Sequence, residues 1–364
     1  MFLFDTVTDA DTEGRALESE ELPKSSNLTV IVPAYNERET IADTLQSLRE
    51  QTAPPREIIV VDDCSTDGTG DIARALNVAV YRPPSNTGSK AGAQTAALGR
   101  AHTEYTMAID ADTTLAPDAI EKLLSAFEDH NTAAACGFVI PRFVSSLWER
   151  GRYIEYLLAF TWYKPVQDYY QRPLISSGCF SMYRTSILKQ FGGWQTRTLA
   201  EDMDLTWTFH KNGYGVRFIP EAVCYPIEPR NFAFMRTQLR RWSHGFLQNY
   251  LLHWRDLLEL PYLRVFVMVA MWDAIVASLA YIVLIPLLTV LLRMPSLLLA
   301  YLIDFPVILM PVMFAARKRR EVLQAVVSLP CFLVLRLVNS WFMLGAFVKE
   351  VILKRPFHTY HKGH

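Results

Sequence analysis

Four short runs in this chain carry residue types suited to handling a phosphorylated sugar. Asp110 and Asp112, in DAD, close an apolar run. Two carboxylates so placed can share a divalent cation that also grips a diphosphate, because hard cations take oxygen ligands. The plainer reading of such a triplet is a surface turn. Asp62 and Asp63 close a second apolar run, where a carboxylate can accept from a base N–H or cap the helix that follows Cys64. Glu201 and Asp202, in TLAEDMDL, open a helix-like segment. A carboxylate there can take the proton from an attacking hydroxyl if it points into the same crevice; otherwise it complements the helix dipole. In QLRRW, Arg241 can balance a diphosphate leaving group and Trp242 offers a flat face to a sugar, with Gln238 on the same segment. A basic, aromatic membrane-interface belt has the same composition.

These runs lie far apart, so a scaffold must bring them together. From Leu28 the chain alternates short apolar runs (LTVIVPAYN, EIIVVDDCS, VAVYRP, YTMAID) with helix-like segments such as TIADTLQSLREQ and GTGDIARAL. This pattern predicts an α/β, Rossmann-like, mostly parallel sheet with crossover helices. Ligands of such sheets sit beyond the carboxyl ends of the strands, where Pro33 to Glu37, Asp62-Asp63 and Asp110 to Asp112 all fall.

At 364 residues the chain exceeds one typical domain. A net charge of -1 leaves no excess to neutralise a nucleic-acid backbone, so no nucleic-acid partner is expected. A mean hydropathy of +0.11, with charges thinning after Pro261, predicts a membrane region. The five cysteines form neither a CxxC pair nor a Cys/His cluster and read as packing residues in a reducing compartment. Residues 1–27 read as a flexible acidic tail without a secretory signal, which is expected to leave the domain over 28–244 on the cytoplasmic side, at the plasma membrane if the source is bacterial or archaeal.

Residues 245–260 carry apolar side chains at helical spacing and predict an amphipathic interfacial helix. The membrane region over 261–353 begins with a hairpin of two transmembrane helices, Tyr262 to Leu292 and Ser296 to Ala316, returning to the positive run Arg317 to Arg320. A third segment, Val322 to Leu353, is open to three readings: a crossing, a re-entrant dip or an interfacial helix. Asp273, Asp304 and Arg336 lie in apolar stretches, where they either line a protein-enclosed path or, the reading favoured, pair between helices or sit near a headgroup. A basic tail occupies 354–364.

IVPAYNE, VVDDCSTDGT, DAD, AED and QLRRW occur in the order found in family 2 glycosyltransferases with a GT-A fold. The chain resembles their membrane-integrated branch, which includes cellulose, chitin, hyaluronan and poly-N-acetylglucosamine synthases. The resemblance implies that Pro33, Tyr35 and Glu37 line the nucleotide pocket and that Asp63 binds the base with Asp62 beside it. Lys90, in SKAGAQ, is then near the diphosphate, and Asp110 and Asp112 take the sugar nucleotide and a metal, Mg2+ or Mn2+. Asp202 matches the general base, with Glu201 on the acceptor side. Gln238 and Arg241 match the leaving-group contacts, and Trp242 the acceptor contact.

The implied reaction is inverting transfer from a UDP-sugar to a growing β-linked glycan. Two other readings stay open: transfer to a polyprenyl phosphate or other lipid-linked acceptor, against which QLRRW argues, and a catalytically silent nucleotide-binding scaffold. Ala200 departs from the family, which often has Thr before the Glu-Asp pair. No membrane helix precedes the domain, and two or three hydrophobic segments leave processive export, or a homo-oligomeric pore, open. Phe357-His358-Thr359 resembles the family's Trp/Phe-x-Thr gating segment, or equally a basic tail on anionic lipid.

Overall fold

The computed structural model describes residues 27–357; the expected acidic tail over 1–26, and His358 and Thr359, lie outside them. The chain alternates β1 (Leu28–Ala34), α1 (Ile41–Arg49), β2 (Glu57–Asp62), α2 (Thr69–Ala75), β3 (Ala79–Tyr81), α3 (Lys90–Leu98) and β4 (Tyr105–Ile109). It continues through β5 (Thr113–Leu115), α4 (Ala119–Leu124), β6 (Thr132–Val139), α5 (Leu147–Leu158), α6 (Lys164–Tyr169), β7 (Phe180–Arg184) and α7 (Thr185–Gln190). The domain closes with α8 (Glu201–Lys211), β8 (Gly215–Pro226) and α9 (Phe232–His253).

All eight strands form one sheet in the order β3-β2-β1-β4-β7-β6-β8-β5. β1, β2, β3 and β4 pair in parallel, and β6 pairs in parallel with β8; β7 inserts antiparallel between β4 and β6, and β5 caps the far edge antiparallel to β8. This is the expected GT-A arrangement. The period of two sorts its core. Val30, Val32, Val60, Met107 and Ile109 pack into one cluster, whereas Ile31, Ile59, Val61 and Ala108 pack into another on the opposite face. Because β4 follows β3 in sequence yet lies on the other side of β1, the loops after β1 and β4 diverge and leave a crevice between them.

The same alternation separates Asp62 from Asp63. Asp62, the last residue of β2, falls on the Val60 face beneath α2, where a side chain on Gly70 would collide with it. There it accepts from the Ser65 N–H at 2.9 Å and pairs with Arg82 at 2.5 Å. The turn beyond, with Cys64 at φ 65°, swings Asp63 the other way.

The segment expected as a separate interfacial helix over 245–260 is instead the second half of α9 followed by a 3-10 turn at Asp256–Glu259. Gly245 does not start a new element. It sits inside the helix because a Cβ there would lie 2.8 Å from Ala200, so its absence lets α9 press against the start of α8.

Three helical stretches are long and apolar enough to cross a membrane: Pro261–Leu292, Pro295–Arg319 and Val322–Ile352. The first joins α10 (Pro261–Met271) to α11 (Ile285–Leu292) through π-helical turns, the second contains α12 (Phe305–Arg319), and the third is α13 (Val322–Phe347) with a π-turn over Val348–Ile352. Tyr281 and Tyr301 stack between the first two. The expected inter-helix pairing is present: Arg336 bonds Asp273 at 2.8 Å and Asp304 at 2.7 Å, joining all three stretches.

The third stretch stays with the sheet domain along its length. Near its start Glu321 accepts from the Tyr153 hydroxyl at 2.8 Å; midway Leu335 packs with Met235 and Leu239, close to Gly151; at its end Glu350 meets His244 at 2.6 Å and accepts from Gln248 at 2.9 Å. At 31 residues it is about 46 Å long. Contacts at both ends and midway fit an interfacial or re-entrant third stretch, and its length and composition fit a crossing. In sealed vesicles, an impermeant maleimide should label Lys354→Cys from the face that labels Glu104→Cys, and Arg293→Cys from the other, each read against the parent chain. Labelling of Lys354→Cys together with Arg293→Cys would instead mean a third crossing.

Candidate active site

The crevice at the carboxyl ends of β1, β2 and β4 is a cleft of about 1000 Å³. Pro33 and Tyr35 line it from the end of β1, Glu37 from the loop into α1, Asp63 from the turn after β2, and Lys90 from the first position of α3. Asp110 and Asp112 line it from the turn after β4, and Gln238 and Arg241 from one side of α9. Four expected site residues are not among its lining: Asp62, Glu201, Asp202 and Trp242.

Asp63 is 5% exposed, and its carboxylate accepts from the Thr87 N–H at 2.8 Å and the Thr87 hydroxyl at 2.9 Å. It thereby fixes the loop that Ser89 then turns into α3 by accepting from the Gly92 N–H at 3.1 Å. That cap sets Lys90 at the floor, where its ammonium pairs with Asp110 and donates to the Gly178 carbonyl at 2.9 Å. The Gly178 N–H in turn donates to Asp202 at 2.8 Å. Asp202 therefore stands behind the lining, one peptide and one ammonium from Asp110.

Charge is dense here. Burial pushes the Asp110 carboxyl up, with the ammonium of Lys90 opposing, Asp112 adding to the rise and Arg241 opposing it. Glu201, 5% exposed, is likewise raised by burial and by the charge of Asp202, against Lys90 and Arg241. The same two cations thus act on Asp110 in the DAD turn and on Glu201 at the start of α8.

Arg152 was not legible as a site residue. It sits on α5 with 0% exposure, donates to Gln238 Oε1 at 2.8 Å and lies 4.4 Å over the ring of Trp242. It also pairs with Glu155 and faces Glu228 at 3.6 Å. Trp242 is accordingly turned toward a buried guanidinium rather than into the cleft, and Arg152 sets the pose of Gln238. Glu228, 5% exposed, lines the cleft and accepts from the Tyr156 hydroxyl at 2.7 Å; burial raises its carboxyl. Lys164, buried on α6, donates to Ile175 O at 2.9 Å and Ser177 Oγ at 2.8 Å, which holds the loop that presents Gly178. In sequence, WERGRYIEY looks like any amphipathic helix.

Phe357, from the expected gating segment, packs against α9: the Arg240 guanidinium lies 3.9 Å over its ring, and its carbonyl accepts from Gln248 at 2.9 Å. His210 bonds the Pro173 carbonyl at 2.9 Å, and burial lowers it to about 4, as for a neutral core histidine.

Residues 29–192 match the model of glycosyl transferase family 2. A poly-beta-1,6-N-acetyl-D-glucosamine synthase of Staphylococcus epidermidis is 28% identical over 239 residues, 63% of this chain and 57% of that protein. The enzyme of the same name from Staphylococcus aureus strain COL is 28% identical over 222 residues, 60% of this chain and 54% of its own. The chain thus matches little more than half the length of these curated relatives. Among solved structures, a mannosyltransferase from Pyrobaculum calidifontis, in complex with GDP-mannose and Mn2+, aligns over 90% of this chain and 88% of its own at a TM-score of 0.60 and 19% identity, a likeness of fold. Residues 29–192 thus match the family 2 glycosyltransferase model, and the sheet order together with the structural likeness gives the chain the GT-A fold.

Proposed function

We propose that this chain transfers a sugar with inversion from a UDP-sugar to a hydroxyl of a growing β-linked glycan at a membrane surface, its catalytic domain on the cytoplasmic side. The observation that carries this reading is the chain of contacts Asp110, Lys90, Gly178, Asp202, which ties the acids of the cleft floor to a candidate base. The glycan acceptor is supported by the relatives' names, and the membrane surface by the apolar helices.

In this reading the nucleotide lies along Pro33, Tyr35, Glu37 and Asp63, with the diphosphate toward Lys90 and Arg241. Asp202 takes the proton of the acceptor hydroxyl, which attacks the anomeric carbon as UDP departs from the opposite face. Glu201 and Trp242 then support the acceptor side and Gln238 the leaving group, with Gln238 and Trp242 in positions set by Arg152.

The donor set suits a hard cation. Asp110 and Asp112 supply carboxylate oxygens only, and both line the cleft. That matches Mg2+ or Mn2+ held by one or two carboxylates with substrate phosphates completing the shell. When bound, such an ion neutralises charge developing on the leaving diphosphate. Asp62 is not carried forward as a nucleotide contact, because its carboxylate is committed to Arg82 and Ser65.

Asp202→Asn should leave UDP binding intact and lower transfer by about a hundredfold or more. Turnover at the parental rate would remove Asp202 as base. Asp112→Asn should abolish most of the Mn2+ dependence of UDP binding in a calorimetric titration, and chelation by EDTA should weaken UDP binding to the parent alone; an unaltered metal titration counts against the assignment. A screen of labelled UDP- and GDP-sugars with product sizing tests the donor and acceptor together. A lipid-linked monosaccharide without polymer, or transfer from a GDP-sugar alone, would overturn them.

Arg152→Lys keeps a charge beside Glu228 but loses the planar fork. It should lower kcat by up to about a hundredfold while UDP affinity holds, because Gln238 and Trp242 lose their shared anchor. A fall in melting temperature with kcat unchanged would show that Arg152 is structural only.

A further inference from the structure

A second cavity of about 530 Å³ lies where the catalytic domain meets the turn between α12 and α13. Arg142, Arg150 and Arg319 line it, against one carboxylate, Glu321. That carboxylate is already spent: its Oε2 accepts from the Tyr153 hydroxyl at 2.8 Å and from Arg319 Nε at 3.1 Å. Arg142 pairs with Asp43 at 2.8 Å outside the lining. Arg150 donates from Nε to the Ser145 carbonyl at 3.3 Å and has no ion-pair partner among the described residues. Arg319 and Glu321 thus form an ion pair within the lining and Arg142 pairs with Asp43 beside it, so the excess positive charge rests on Arg150, with guanidinium forks suited to phosphate oxygens.

Its position gives the phosphate a source. Arg319 belongs to the run Arg317 to Arg320, which ends the second apolar stretch, and α13 begins two residues later. Such a turn sits at the depth of lipid headgroups. Beside the arginines, Leu323 and Val327 stand four residues apart on α13, so they share one helix face, and they are 78% and 49% exposed. A soluble anion has no use for that apolar strip; an acyl chain has.

We propose that this cavity binds the phosphate of an anionic phospholipid, its headgroup held by Arg150 and Arg319 and its chain laid along Leu323 and Val327. The proposal is independent of which sugar the first cleft takes. Arg142 lines both cavities, so a bound lipid would lie against the wall of the active-site cleft.

The test uses the full chain in nanodiscs of phosphatidylcholine with and without phosphatidylglycerol, reading by native mass spectrometry the lipid retained on extraction. The parent should retain phosphatidylglycerol in preference to phosphatidylcholine. Arg150→Gln with Arg319→Gln should cut that retention by roughly twenty-five-fold, about fivefold for each charge, while Arg150→Lys with Arg319→Lys keeps most of it. Inorganic phosphate should not displace the lipid. Equal retention by the parent and the glutamine double variant, no preference in the parent, or displacement by inorganic phosphate would each overturn the proposal, the last in favour of a soluble anion. Transfer activity of the double variant in phosphatidylcholine, with its circular dichroism, shows that the fold is intact.

Discussion

A single ammonium holds the floor of the active-site cleft together. Lys90 stands between Asp110 and the Gly178 carbonyl, and the other side of that same peptide holds Asp202. Several carboxylates packed in a half-buried floor repel one another and lose hydration, which is why Asp110 and Glu201 are both pushed up. Without a cation among them the loops after β4 and before α8 would be driven apart. The sheet makes this closure possible. It delivers Asp110 and Lys90 from opposite sides of β1, and the cap at Ser89 aims Lys90 into the gap.

A second cation does for the outer wall what Lys90 does for the floor. Arg152 is fully buried, a costly place for a guanidinium, and its surroundings answer that cost with two carboxylates, the Gln238 amide oxygen and the Trp242 ring. Because α5, which carries it, also packs against α13 at Gly151, the pose of the QLRRW segment depends on the apolar helix below. The membrane region is thus part of the wall that shapes the site rather than only its anchor. A Cβ on Gly151 would lie 3.0 Å from Leu335 Cβ, a tighter contact than side chains usually make, so the glycine lets the two helices approach closely.

The strands were legible because burial on both faces leaves unbroken apolar runs, and the acids at their ends followed from sheet geometry. The roles of neighbouring acids were not. Asp62 and Asp63 look equivalent in sequence, yet a period of two sends them to opposite faces, and only the position of Gly70 reveals that Asp62 lies beneath a helix. Arg152, Lys164 and Glu228 act through partners up to 86 positions away, as Arg152 does with Gln238, and no local spacing announces such contacts. Trp242 was legible as a motif member but not in direction, since the side it presents is set by Arg152. The break expected at Gly245 failed for a related reason: a glycine inside a helix can mark close approach as well as an end.

Gly178 brings these constraints to one atom. A Cβ there would lie 2.7 Å from the Asp202 carboxylate oxygen and 3.4 Å from the Lys90 ammonium. Any side chain would therefore push the candidate base away from the peptide that links it to the cleft. The backbone must be bare at this position for its two polar ends to serve two charged groups at once. Lys164, clamped to Ile175 and Ser177 just upstream, keeps that peptide from turning. Asp202 is thus oriented by backbone whose own placement is fixed by a buried charge, an arrangement that resists drift because moving any one member would strip a buried ion of its partner.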